Sequence, residues 1–243
     1  AGVAAVTTTT SRATTSRAVR TGRLVSCGSW DEAREAIRLR HISGAIVRGA
    51  FRDVALWDST VPSGDVISVS SAASQGDARL GDLAQICAMF EDGASALQAA
   101  ESLGNAVDEF RRCFVDAEDH RSEVRVRATI SSGGAPCPKL HTDDIVLRCV
   151  VAFAGPATVV APFAKPPSRL QRLVPASIAL PALFSSPADD AEVSPELGDA
   201  LLMKGSRWGP GHAPILHRSP MPTDAKRILV SFDRLCDVQS LGA

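Results

Sequence analysis

Hydrophobic residues follow different spacings in the two halves of this chain. Up to residue 114, apolar residues recur at helical spacing in two stretches, 80–90 and 103–114, which we interpret as packing helices. Ser29 and Glu32 form the Ser-x-x-Glu pattern of a capping box, which predicts a further helix from residue 30 to about residue 40. The first half of the chain is therefore predicted to contribute most of the helices.

The spacing changes at residue 123, where apolar residues begin to alternate with polar ones. Residues 124–130 predict a half-buried strand, and residues 145–153 predict a buried strand that carries one charge. Shorter strands are predicted at 44–47, 66–69, 158–161, 198–204, 215–217 and 226–232. Residues 162–197 hold many prolines and no long periodic segment, which predicts a long loop of the kind that often covers a binding site. This order of elements predicts an α+β fold, with a β sandwich or barrel behind a helical layer.

The composition fits a globular chain and gives no argument for nucleic acid or membrane as partners. The 243 residues suit one large domain, or one domain with an appendage, and 45% of them are apolar. A net charge of −1 provides no general attraction to nucleic acid or an anionic membrane, and no apolar run is long enough for a membrane span. Six cysteines without a Cys-x-x-Cys pattern indicate a reducing compartment, so we expect a soluble, cytoplasmic protein.

The first 26 residues differ from the rest in composition. They contain four consecutive threonines, arginines at positions 12, 17, 20 and 23, and no acidic residue. Such a segment is typical of a disordered leader or of an organellar transit segment, and in the second case the compartment would be an organelle. We therefore divide the chain into a leader, residues 1–26, and a single metal-binding domain with a helical N-terminal part, residues 27–243.

The clearest candidate chemistry lies just before the buried strand 145–153. His141 and Asp143 are two residues apart, so in an extended chain their side chains point to the same side. An imidazole and a carboxylate that converge in this way are suited to bind a metal ion. His217, in another predicted strand, is the candidate third ligand. Two histidines and one carboxylate that leave coordination positions open are the ligand set of non-haem Fe(II) oxygenases.

Two arginines are candidates to bind a co-substrate beside such a metal. Fe(II) with three protein ligands has room for a bidentate 2-oxo acid and dioxygen, and the distal carboxylate of a dicarboxylic 2-oxo acid can pair with a fixed arginine. Arg227 lies in the last predicted strand, ten residues after His217, and is our first choice. Arg148 interrupts an otherwise apolar strand, so it is either a rival for this role or the partner of a structural acid.

Cys137 leaves a second interpretation of the metal site open. It precedes His141 by four residues, and its thiolate as a fourth ligand would favour zinc over iron. The alternative is a buried thiol of the loop. Asp144 follows Asp143 directly, so strand alternation should point it away from the site.

The series His141, Asp143, His217 and Arg227 resembles that of the Fe(II)/2-oxoglutarate dioxygenases, and the run 198–202 is similar to their prolyl-hydroxylase-like branch. The resemblance implies a double-stranded β-helix, which is a jelly-roll or cupin-like barrel, with N-terminal flanking helices. It also implies the first three residues as iron ligands and Arg227 as the 2-oxoglutarate anchor. One departure is that Leu229 stands where these enzymes often have a hydroxyl residue.

A closer likeness, over about residues 30–235, is to a largely bacterial domain of unknown function, number eighteen-twenty-six. The shared motifs are Cys-Pro-x-x-His-x-Asp at 137–143, Gly-Pro-x-Thr at 155–158, Gly-Asp at 198–199 and His-Arg-Ser-Pro at 217–220. This resemblance implies no established reaction, and some members lie beside zinc-homeostasis genes. We expect an oxygenase that uses Fe(II) and 2-oxoglutarate on a small-molecule or side-chain substrate, or a non-catalytic zinc-binding protein with the same barrel.

Overall fold

The computed structural model describes residues 24–60, 67–72, 83, 93–115, 123–132, 137–162, 192–209, 212, 214–221 and 224–235. In these residues the fold combines helices and strands, as the hydrophobic spacing predicts. The helices are α1 (Trp30–Arg38), α2 (Val54–Thr60) and α3 (Gly93–Phe114). The strands are β1 (Leu24–Cys27), β2 (Gly44–Val47), β3 (Ile67–Ala72), β4 (Glu123–Ser132), β5 (Leu147–Ala154), β6 (Val159–Ala161), β7 (Ala200–Lys204), β8 (Leu216–Arg218) and β9 (Lys226–Leu235).

Most of these strands form one large, mainly antiparallel sheet, which we call the major sheet. Its order is β1-β2-β7-β5-β9-β4-β3, and β1 and β2 are its one parallel pair among the described strands. The minor sheet consists of β6 paired with β8. Isolated antiparallel β-bridges extend the minor sheet at both edges. One joins Val160 of β6 to Val193, and the other joins His217 of β8 to His141.

The two faces of the major sheet are covered by different layers. The helices pack on one face, in a core that includes Ile37 of α1 and Phe110 of α3. On the other face, a second cluster joins Val150 of β5 and Leu201 of β7 to Val160 of the minor sheet. Strand β5 is therefore covered on both sides, which explains why apolar residues run almost unbroken through it.

Helix α1 begins as the capping-box pattern predicts. The Ser29 hydroxyl accepts a hydrogen bond from the Glu32 backbone N–H (3.2 Å), and the Glu32 carboxylate accepts one from the Gly28 N–H (2.7 Å). Two backbone donors at the start of the helix are thus satisfied. The helix ends at Arg38, close to the predicted residue 40.

The structure corrects the predicted leader boundary and adds one helix. Residues 24–26, which we assigned to the leader, belong to β1, where Leu24 is buried and pairs with Gly44 of β2. The arginine-rich composition up to residue 23 conceals the start of this short strand. Helix α2 is missing from the sequence prediction because its seven residues contain no repeated apolar stripe. Its Trp57 is fully buried and stacks on Phe153, with ring centroids 4.3 Å apart.

Some predictions fall on residues outside the described part of the chain. These are residues 1–23 of the leader, residues 163–191 of the long loop, and the helix at 80–90 apart from Leu83, which is helical and buried. No helix within the described residues is long and apolar enough to cross a membrane.

A buried carboxylate fixes the turn that leads into β7. Asp199 is 4% exposed, and its Oδ2 accepts hydrogen bonds from the Arg48 Nη1 (2.7 Å) and the Glu196 N–H (3.0 Å). Its Oδ1 accepts a third from the Gly49 N–H (2.8 Å). The carboxylate therefore ties the end of β2 to the start of β7, across a separation of 150 residues in the chain.

We expect Asp199→Ala to lower the free energy of unfolding by about 2–4 kcal/mol, because it removes the buried acceptor of all these bonds. Urea denaturation followed by circular dichroism measures the change. Asp31→Ala is the matched control, since Asp31 also pairs with an arginine, Arg112, but its side chain is 65% exposed. The control should lose much less stability. Equal losses in the two variants would contradict the structural role of Asp199.

Candidate metal centre

Three side chains that the sequence predicts as metal ligands meet on the inner side of the minor sheet. One ligand atom from each of His141, Asp143 and His217 lies within 4.8 Å of the other two. The His217 Nε2 is 3.2 Å from the Asp143 Oδ2, and the His141 Nε2 is 3.8 Å from the Asp143 Oδ1. Within the described residues, this is the one group of three such side chains close enough to share a metal ion.

The minor sheet places the two imidazoles side by side. The His141 N–H donates to the His217 carbonyl (2.9 Å), and the His217 N–H donates to the His141 carbonyl (3.0 Å). Residues paired in this way across antiparallel chains point to the same face, and here the ring centroids are 4.4 Å apart. The Ser219 N–H donates to the Cys137 carbonyl (2.8 Å) and extends the pairing beyond the two histidines.

The second ring nitrogen of each histidine faces a backbone carbonyl. The His141 Nδ1 lies 2.9 Å from the Lys139 oxygen, and the His217 Nδ1 lies 3.5 Å from the Ile215 oxygen. A neutral imidazole that donates its Nδ1–H to a carbonyl keeps the lone pair on Nε2. Both Nε2 atoms, which face the carboxylate, are then able to bind a metal ion in the manner of other metal-binding histidines.

Arg148 lies behind Asp143 and holds it in place. Its Nη1 donates to the Asp143 Oδ2 (2.8 Å), while its Nε and Nη2 donate to the Oδ1 (2.6 Å) and Oδ2 (2.7 Å) of Asp233. Each guanidinium nitrogen thus already has a carboxylate partner. This arrangement corrects the interpretation of Arg148 as a co-substrate ligand and matches the alternative, an ion pair with a structural acid.

The charges around Asp143 keep its carboxylate ionised. Burial by itself would raise the pKa of Asp143, but in the metal-free protein the hydrogen bond with a protonated His217 ring and the charges of that ring and of Arg148 outweigh burial and lower this pKa. A bound metal ion would take the place of the proton on the His217 Nε2. Burial alone would likewise lower the pKa of Arg148, and its carboxylate partners reverse the effect and raise it. Asp143 is therefore present as the anion that metal binding requires.

Cys137 does not join the donor group. Its side chain is exposed, and its Sγ is not among the ligand atoms that lie within 4.8 Å of one another. The structure therefore gives no support to Cys137 as a fourth, thiolate ligand. It also corrects the alternative of a buried loop thiol.

A tight loop after β7 supports the segment that carries Asp143. The backbone N–H groups of residues 205–207 donate to three carbonyls within residues 143–146. A Cβ at Gly205 would collide with one of these carbonyls, so the close approach depends on glycine. Asp144 accepts hydrogen bonds from the side chains of residues 206 and 207, and it points away from the donor group as predicted.

Arg227 lies near the start of β9 and is buried without an acidic partner. It is 6% exposed, its Nε donates to the Pro156 carbonyl (2.9 Å), and its Nη2 lies 3.4 Å from the Thr158 hydroxyl. Burial lowers the pKa of Arg227 to about 10. Within the described residues no carboxylate pairs with it, which is unusual because buried arginines are normally paired. From the sequence, Thr158 is identified only as part of the Gly-Pro-x-Thr motif and of a predicted strand, and its contact with Arg227 is not predicted.

The turn between β5 and β6 brings these groups to the arginine. Gly155 has a φ of +68°, and a Cβ there would collide with the carbonyl of Lys226. Glycine therefore allows the turn to approach the start of β9 and to place Pro156 and Thr158 against the guanidinium.

The residues present fit a divalent metal ion and an anionic ligand. Two imidazole nitrogens and one carboxylate form a facial ligand set that leaves coordination positions open. The buried guanidinium of Arg227 keeps N–H donors that can pair with a carboxylate.

Removal of either imidazole should abolish specific metal binding. We expect His141→Ala and His217→Ala to weaken the binding of Co²⁺ by about 100-fold or more, since each removes one of three ligands. Isothermal titration calorimetry measures the affinity, and His212→Ala is the control because His212 lies outside the donor group. Unchanged affinity in the His217 variant would exclude the proposed ligand set.

Replacement of Arg148 tests the support behind Asp143. Arg148→Met should lower the free energy of unfolding by about 3–5 kcal/mol, because it leaves Asp233 buried without its counter-charge. It should also weaken Co²⁺ binding by about 10–100-fold, because Asp143 loses the donor that orients it. Chemical denaturation and calorimetry measure the two effects. A stable variant with native affinity for Co²⁺ would show that Arg148 does not orient the ligand.

Solved structures similar to this chain include Fe(II)/2-oxoglutarate oxygenases. The dioxygenase for auxin oxidation 1 from Arabidopsis thaliana, in complex with 2-oxoglutarate, is 10% identical, and the match covers 89% of this chain and 93% of that chain with a TM-score of 0.50. An oxidoreductase of the 2OG-Fe(II) oxygenase family from Burkholderia pseudomallei is 13% identical (86% and 90% covered, TM-score 0.43). A prolyl-4-hydroxylase from Pseudomonas putida is 8% identical (86% and 100% covered, TM-score 0.42). The Arabidopsis match indicates a similar fold and, at this identity, no particular substrate.

Sequence comparison identifies the family. No curated protein matches the sequence of the chain. One family matches residues 42–233, which is most of the chain and includes the three donor residues and Arg227. The chain therefore belongs to the family described as "Protein of unknown function (DUF1826)".

Proposed function

We propose that this protein is a mononuclear non-haem Fe(II) oxygenase that depends on 2-oxoglutarate. One observation carries the proposal. The donor group of His141, Asp143 and His217 lies on the side of the major sheet away from the helices. By strand alternation Arg227, a buried cation without an acidic partner in the described part of the chain, faces the same side. An open metal site and a separate carboxylate-binding group are what an oxygenase with a dicarboxylic co-substrate needs.

We also propose that the two sheets form a double-stranded β-helix. From β4 onward the chain passes between the sheets in the order β4 (major), His141 (minor), β5 (major), β6 and Val193 (minor), β7 (major), β8 (minor) and β9 (major). Facing antiparallel sheets between which the chain repeatedly crosses are the architecture of jelly rolls and cupins. In such a barrel, the ligands of the minor sheet face the inner surface of the major sheet.

His141, Asp143 and His217 would hold the iron, and their surroundings would fix the geometry of the ligands. When bound, Fe(II) together with 2-oxoglutarate and dioxygen supplies the oxidising power for hydroxylation of a substrate. The carbonyls that face both Nδ1 atoms orient the imidazoles, and Arg148 orients the carboxylate.

Arg227 would bind the distal carboxylate of 2-oxoglutarate, with Thr158 as a second donor. A guanidinium and a carboxylate can form two parallel hydrogen bonds, and the pair would offset the cost of burying Arg227 alone. Related enzymes often supply a hydroxyl from two residues after the arginine, where this chain has Leu229. Thr158, from the turn after β5, would take that role here because its hydroxyl lies beside the guanidinium.

Binding of 2-oxoglutarate to anaerobic, Fe(II)-loaded protein tests this proposal. Arg227→Gln should weaken the binding by about 30-fold or more, because the carboxylate loses its counter-charge. Thr158→Val should weaken it by about fivefold, as expected for one neutral hydrogen bond. Calorimetry measures affinity, and a weak visible charge-transfer band reports co-substrate bound at the iron.

Arg38→Gln is the matched control, because Arg38 is exposed on α1 and pairs there with Glu35. It should bind 2-oxoglutarate like the native chain. A protein that holds zinc in this site and does not bind 2-oxoglutarate would contradict the oxygenase proposal and favour the non-catalytic zinc-binding alternative.

A further inference from the structure

The inner face of β9 carries a second polar position, two residues from the Asp233 that pairs with Arg148. On β9, Ile228, Val230 and Phe232 belong to the core on the helical side, so the alternating residues face the minor sheet. The antiparallel register places each of them opposite a residue of β4 on the same face. These pairs are Arg227 with Ser131, Leu229 with Thr129, Ser231 with Arg127, and Asp233 with Arg125.

Ser231 is buried here with an unused hydroxyl. The residue is 2% exposed, and its Oγ has no hydrogen-bond partner within the described residues. Buried hydroxyls in folded proteins are normally bonded to protein or to ordered water. A hydroxyl left free in the interior is therefore placed to bond with something that enters it.

Arg127 adds a positive charge at the same position. It lies directly opposite Ser231 and is half-buried, and Arg125 lies opposite Asp233 and is exposed. In the part of the chain that the structure describes, no carboxylate forms an ion pair with either arginine. Asp233 does not neutralise the charges of these two arginines, because both of its carboxylate oxygens already accept hydrogen bonds from Arg148. Counting only residues that the structure describes, the surroundings of Ser231 thus have an excess of positive charge.

This position is separate from Arg227 and is linked through Asp233 and Arg148 to the candidate ligand Asp143. Residues 227 and 231 are about 13 Å apart along an extended strand, whereas the two carboxyl carbons of a five-carbon diacid are only about 5 Å apart. The Arg227 guanidinium is also bonded to the turn at Pro156, so one 2-oxoglutarate would not serve both positions. In the other direction, Ser231 is two residues from Asp233, whose partner Arg148 contacts Asp143.

We propose that Arg127 and Ser231 bind an anionic oxygen group, a carboxylate or a phosphate, of the primary substrate. Arg125 extends the positive charge towards solvent. This assignment rests on the proposed function, because it takes the neighbouring metal centre as the place of reaction. It names the substrate class as an organic acid or a phosphate ester.

Calorimetric titration of the full chain, loaded with Mn²⁺ and saturated with 2-oxoglutarate, tests the assignment with two probes, inorganic phosphate and benzoate. The native chain should bind at least one of them at a single site. Arg127→Gln should weaken that binding by about tenfold or more, and Arg127→Lys should restore part of it. Ser231→Ala should weaken it by about threefold to tenfold. The more tightly bound probe shows whether the site prefers phosphate or carboxylate.

Two readouts separate this role from a structural one. Ser231→Ala should raise the Tm of the ligand-free chain or leave it unchanged, because it removes a buried hydroxyl without a partner. Arg38→Gln should bind both probes like the native chain, and Arg127→Gln should keep native affinity for 2-oxoglutarate.

Three outcomes would overturn the assignment. They are no binding of either probe, probe affinity within twofold of native in Arg127→Gln, or equal weakening of probe and 2-oxoglutarate in that variant. The protein could also bind a probe through Arg127 and yet not bind 2-oxoglutarate. This result would support the anion site and would contradict only the oxygenase proposal.

Discussion

The rest of the site depends on one charged interaction, the guanidinium of Arg148 between the carboxylates of Asp143 and Asp233. Without a counter-charge, burial would favour the neutral form of Asp143, which is a poor metal ligand. Because Arg148 lies in β5 and Asp233 opposite it in β9, the register of two central strands fixes the cation. The cation in turn fixes a carboxylate in the loop, so the position of the candidate metal ligand follows from the sheet.

The layered fold allows this charge cluster to exist. One set of alternating residues of β5 and β9 packs against the helices in an apolar core, and the other set faces the minor sheet. Polar groups on that inner face are buried on the side of the major sheet away from the helices. Asp233, Ser231 and Arg227 occupy successive polar positions there, with Leu229 between the last two. One strand therefore presents a structural anion together with a hydroxyl and a cation that lack partners among the described residues.

The sequence predicts the donor group better than its surroundings. His141 and Asp143 could be identified because residues two apart in an extended chain converge, and His217 because metal ligands come from neighbouring strands. Asp233, the partner of Arg148, could not be identified from the sequence, since it lies 85 residues away and the pairing depends on the order of strands in the sheet. The exposure of the Cys137 thiol depends equally on tertiary structure. The contact between Thr158 and Arg227 could not be predicted from the sequence either, because it requires the turn after β5 to fold back on β9.

Arg227 and Ser231 share a property that folding alone does not explain. Each is a buried polar side chain that lacks its usual partner within the described residues, and each lowers the stability of the ligand-free protein. Such conflicts with the rest of a well-packed core are typical of sites that are completed by a ligand. The two residues lie on the same face of the same strand and too far apart for one small diacid. Under the proposed function, the arrangement that satisfies both is the co-substrate carboxylate at Arg227 and a second anion at Ser231, towards Asp233.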